Sequence, residues 1–62
     1  MFIILSFKNC PFDKIAVRKE DVVEVISTNE GENVTVYMKS GEKIKVAETL
    51  SEVLEVLNEK EN

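Results

Sequence analysis

Cys10 is the one side chain in this 62-residue sequence with the makings of a nucleophile. A thiol becomes reactive when a neighbouring base or positive charge lowers its pKa. Lys8 stands close in sequence, but the chain contains no histidine to complete a thiol–imidazole pair. Cys10 therefore reads as a loop or core residue beside Pro11, and no catalytic residue is assigned. The lack of histidine also removes the commonest zinc ligand and the usual acid–base group at neutral pH. Among the carboxylates, Glu30 and Glu32 flank Gly31 in the manner of a cation loop, yet the spacing of a calcium loop is missing. Glu48, Glu52, Glu55 and Glu59 read as the solvated face of a helix, the first two favoured by its positive start. The expectation is a non-enzymatic protein with no metal site and no cofactor.

The basic residues are more suggestive because they are segregated. If the last two strands pair as a hairpin, Tyr37, Lys39, Lys43 and Lys45 share the sheet face away from the helix, and Arg18 joins them depending on a kink at residues 18 to 21. An aromatic ring among cations on a flat sheet stacks a base and holds phosphates. The competing reading is that these lysines keep an outer face solvated and discourage edge pairing. Both readings stay open.

Behind these residues stands a small scaffold. A chain of this length buries only about 60% of the surface its unfolded form exposes. Stabilising aids for such chains are disulfides, a metal or assembly. A single cysteine excludes a disulfide within the chain, and self-association is the aid that remains. Eight basic and twelve acidic residues give a net charge of −4. That balance ranks a nucleic-acid-binding regulator last among the functional classes, since such binding rests on neutralising phosphates. The opening MFIIL is too short to span a bilayer and lacks the features of a signal peptide, so a cytoplasmic location with a reduced thiol is expected, without membrane insertion.

Hydropathy periodicity predicts one domain over 1–62, with strands at about 2–7, 14–18, 22–27, 33–39 and 42–47 and a helix at about 50–60. Residues 2 to 7 (FIILSF) are apolar at both parities, the mark of a strand covered on both faces. Residues 14 to 27 read as one strand interrupted at RKED by a bulge or a single turn. Val34, Val36 and Met38 alternate with Thr35, Tyr37 and Lys39; Ser40-Gly41 then turns the chain, and Ile44 and Val46 return on the same face. Thr49 with Glu52 forms the capping-box pattern, and Leu50, Val53, Leu54 and Leu57 form an apolar stripe at helical spacing.

The order of these signals is similar to that of the small FlbD/SwrD family of flagellar and swarming-motility proteins. The residues that carry the resemblance are Val17, Asp21, Val22, Val23, Glu24, Ile26, Gly41, Val46, Glu48, Thr49, Glu52 and Val53, within residues 15–57. Miniature proteins of the same pattern occur in phages. The resemblance implies an accessory, non-enzymatic role and carries over no catalytic residue. One departure is KNCPFD, which stands where the family usually has an Asn-Gly type turn.

The expected fold is α+β: a strongly bent, mainly antiparallel sheet of about four strands with one C-terminal helix packed on it. One helix covers one sheet face, while the first strand and the segment from Val22 to Ile26 are apolar on both sides. The surplus points to a homo-oligomer that buries Phe2, Ile4, Val23 and Val25, or to a sheet that curls on itself as a small barrel does. Three functions follow from these features. The first is a self-associating adaptor or regulatory protein that binds a protein partner. Next comes a phage-type inhibitor or sponge that sequesters an anionic, nucleotide-like small molecule between subunits through Arg18, Tyr37, Lys39, Lys43 and Lys45. The nucleic-acid regulator is third.

Overall fold

The computed structural model describes residues 1–58. The β-branched run at the start forms β1 (Phe2–Ser6), which pairs antiparallel with β2 (Lys14–Arg18) so that Ile3 faces Val17 and Leu5 faces Ile15. Where RKED breaks the alternation, the chain makes a single 3₁₀ turn at Lys19–Asp21 and continues as β3 (Val22–Thr28). β4 (Asn33–Met38) and β5 (Lys43–Val46) complete a second antiparallel sheet in the order β3-β4-β5. The fold is thus α+β and mainly antiparallel. It has five strands in two sheets, not about four in one, because the interrupted strand is divided between the sheets at its turn.

A one-residue irregularity sits between Val22 and Glu24, where Val22 pairs with Met38 and Glu24 already pairs with Tyr37. This bulge resets which residues of β3 point inward. Val22 and Val25 pack against the core, while Val23 is turned out. The core itself is Ile3, Leu5, Val17, Val34, Val36, Ile44, Val46 and Val53, drawn from both sheets and the helix. The sheets curl towards each other and share these residues, as a partly open barrel does.

The seam between the sheets is short and polar. Phe7 bridges Val46; the Lys8 amide donates to the Lys45 carbonyl at 3.1 Å, and the Ala47 amide donates to the Ser6 carbonyl at 2.9 Å. The Ser6 amide has no strand opposite it on this side, and it donates to both carboxylate oxygens of Glu48, at 2.9 and 3.0 Å. The buried Ser6 hydroxyl accepts from Lys14 Nζ at 2.6 Å. Two residues after Glu48 the helix α1 (Leu50–Leu57) begins, capped reciprocally: the Glu52 amide donates to Thr49 Oγ1 at 3.1 Å and the Thr49 amide to Glu52 Oε1 at 2.9 Å. The rest of the helix expected to about residue 60, with Glu59, lies outside the described residues.

Two turns hold the second sheet in register. Asn29, Glu30 and Gly31 all adopt left-handed φ values, 55°, 56° and 92°, and the Gly31 and Glu32 amides donate to the Thr28 and Asn29 carbonyls at 3.2 and 3.1 Å, closing a four-residue loop between Thr28 and Asn33. At the other hairpin Gly41 takes φ 95° beside the Met38–Glu42 pair.

Glu30 occupies a left-handed position that glycine adopts without a Cβ penalty. Glu30→Gly is expected to raise the unfolding free energy by about 0.5–1 kcal/mol in urea titration; a loss of stability would contradict the turn assignment. Glu48→Ala leaves the Ser6 amide unsatisfied and is expected to cost about 1–3 kcal/mol. Glu48→Gln, which keeps one acceptor oxygen, should lose less in the same titration.

Candidate functional site

The five residues expected to hold an anion do not converge. Tyr37 and Lys43 face each other across β4 and β5, and Lys45 sits one row along, opposite Thr35. On the other side of Tyr37 stands Glu24, so the outward face of this sheet mixes both charges. Lys39 falls beyond the end of β4, in the turn. Arg18 ends β2 in the other sheet, where its Nε lies 3.8 Å from Glu20.

Glu20 also receives the Met1 ammonium, 3.2 Å from its Oε2. A backbone hydrogen bond to its own residue, and next the Met1 ammonium, hold the Glu20 carboxyl below its ordinary 4.5. The stability this contributes is present above the ordinary carboxyl value and is lost as pH falls through the lowered one. The Glu20 side chain is half-exposed and screened by solvent, so the contribution is small.

The structure distributes the cations between two shallow clefts on the open side of the barrel. One, of about 560 Å³, lies between β2 and the β4–β5 hairpin. Phe2, Ile15, Ala16, Val17, Met38 and Ile44 form its apolar part, and Arg18 and Lys39 sit with Asp21 and Glu42 around it. The other, of about 550 Å³, lies between the β1–β2 loop and β5, where Lys8, Lys43 and Lys45 meet Asp13 and exposed Cys10. Periodicity gave no sign of Lys8. Its ammonium bonds Asn33 Oδ1 and the Glu32 carbonyl, which ties the first loop to the β3–β4 turn. Glu32, considered above as a cation ligand, accepts a hydrogen bond from the Asn29 side chain. Among the described residues no cluster of acidic or cysteine side chains has the makings of a metal site.

Apolar side chains are the more prominent surface feature. Phe2 and Ile4 point away from the core on the outer face of β1, 64% and 58% exposed, with exposed Ala16 and Arg18 opposite them on β2. Phe12, at the tip of the first loop, is 96% exposed. Val23 is 63% exposed through the bulge, whereas Val25, also expected at an oligomer interface, is turned inward by the same bulge and packs against the core. Beside Val23 a third groove, of about 370 Å³, runs between β3 and α1. Leu54 lies on its rim, 44% exposed. The helix meets the core through Val53, with Val56 and Leu57 half-buried beside it, and this rotation leaves Leu54 at the edge of the stripe it was expected to share.

No helix of the described residues is long and apolar enough to cross a membrane. Comparison of the chain with protein-family models, curated proteins and solved structures returned no match.

Burial separates the two adjacent helix positions. Val53→Ala is expected to cost about 2 kcal/mol by chemical denaturation, from lost transfer energy and a cavity. Leu54→Ala should cost less than about 1 kcal/mol. The reverse order would contradict the packing of α1 described here.

Proposed function

We propose that this chain is a small, non-enzymatic, self-associating adaptor or regulatory protein that works by binding a protein partner. The observation that carries the reading is the outer face of β1. Ile3 and Leu5 fill the core, while Phe2 and Ile4, on the opposite parity, stay in water although the barrel has already curled to cover its inner face. Large apolar side chains grouped on one face of so small a molecule mark a surface that associates. The resemblance of residues 15–57 to FlbD/SwrD proteins supports the same class and suggests a place in motility, with phage-borne proteins as the alternative setting.

A second reading, sequestration of an anionic nucleotide-like molecule between subunits, draws on Arg18 and Lys39 lining one cleft. Asp21 and Glu42 in the same cleft weaken the local positive potential, and Tyr37 lies elsewhere. The adaptor reading is therefore preferred.

Native mass spectrometry of the purified protein separates the two. The expected result is a defined oligomer without added mass, which Ile4→Glu converts to monomer. A monomer of the unaltered chain would contradict self-association. An oligomer with a retained small molecule, lost when Lys39 and Arg18 become alanine, would move sequestration to first place.

A further inference from the structure

We infer that the free edge of β2 is a strand-addition site for an extended, acidic segment of a partner protein. This inference rests on the binding reading above and names the surface that performs it.

Hydrogen-bond parity identifies the edge. The Phe7 amide donates to the Asp13 carbonyl and the Lys19 amide to the Met1 carbonyl, so the odd-numbered residues of β1 and β2 bond each other. The amide and carbonyl of Lys14 and of Ala16, and the amide of Arg18, therefore point away from β1. β2 pairs with β1 and with no other strand among the described residues. This side of β2 borders the 560 Å³ cleft, whose apolar part is Ile15, Val17, Met38 and Ile44 together with Phe2 and Ala16. An exposed edge beside apolar pockets is the arrangement that accepts an added strand, the main chain giving affinity and alternate side chains giving selectivity.

The chemistry of the occupant follows from the register. In an antiparallel addition, a residue opposite Ala16 has neighbours opposite Ile15 and Val17 that face the cleft, and next neighbours opposite Lys14 and Arg18 on the outer face. Apolar residues suit the first pair of positions, since Asp21 and Glu42 disfavour an anion inside the cleft, and carboxylates suit the second, on the outer face beside Lys14 and Arg18. The matching segment reads acidic–apolar–any–apolar–acidic. A second copy of β2 does not fit: centred on Ala16, it would set Lys14 against the partner's Arg18 twice, a like-charge pairing. Nor does any five-residue run of this sequence match the pattern. The occupant is therefore a different protein.

Amide-resolved NMR of the full chain, titrated with acetyl-Glu-Val-Thr-Val-Glu-amide, tests the assignment. The expected result is saturable shifts centred on residues 14–18, absent with the peptide in which lysine replaces both glutamates. Arg18→Glu should weaken the acidic peptide roughly fivefold. Ala16→Pro, which removes an edge donor, should abolish the shifts while the amides of Val36 and Val46 keep their positions. Should Ala16→Pro disturb the fold, the Arg18→Glu comparison still decides. Shifts centred on Val22–Val25 and Leu54 would overturn the edge assignment while leaving the binding reading intact. An unchanged spectrum would also overturn it, and the oligomer measurement would then judge the broader reading by itself.

Discussion

The seam between the two sheets depends on the bond from the Ser6 amide to the Glu48 carboxylate. β1 leaves its hairpin with one side uncovered, and β5 ends after Val46, too early to continue the ladder along it. Glu48 supplies with a side chain the acceptor that a longer strand would supply with its backbone. Because Thr49 caps α1 at the next position, the same few residues join the sheets and aim the helix at the core. A small domain has little apolar area in reserve, so a buried amide left unsatisfied there would cost a sizeable part of its stability.

Closing the barrel this way divides the apolar residues into two populations. Ile3 and Leu5 join Val36, Val46 and Val53 in one buried core. Phe2 and Ile4 are left outside by the alternation of β1, and Val23 by the bulge in β3. The surface that remains sets Phe2 and Ile4 beside Lys14 and Arg18 on the outer face of the first ribbon, and is mixed in charge on the outer face of the second sheet. It suits contact with another protein better than capture of a polyanion, whose binding rests on phosphate neutralisation.

What was legible in the sequence was local. The Thr49–Glu52 cap, the hairpin at Gly41 and the break at RKED depend on residues close in the chain, and each produces the element its chemistry favours. Features decided by distant partners were not legible. A single inserted residue at Val23 reverses the faces of β3, and only the pairing with Met38 and Tyr37 reveals it. Glu48 read as a helix-start charge because its partner lies forty-two residues away. Arg18 looked like a member of the basic face, but the division of the strands into two sheets separates it from Tyr37 and Lys45, and Lys39 falls in the turn beyond β4. Leu54 fits the helical stripe by spacing, yet Val56 takes the inner position because the short helix rests on the core through Val53.

Native-state hydrogen exchange at the Ser6, Ala47 and Val36 amides is the measurement that bears most directly on this account. If the Glu48 clasp makes the two sheets one cooperative unit, Ser6 and Ala47 at the seam should exchange with the same opening free energy as Val36 at the centre of the core. Exchange of Ser6 and Ala47 through a much easier local opening, with Val36 still protected, would show that the sheets part freely and that the clasp does not hold them.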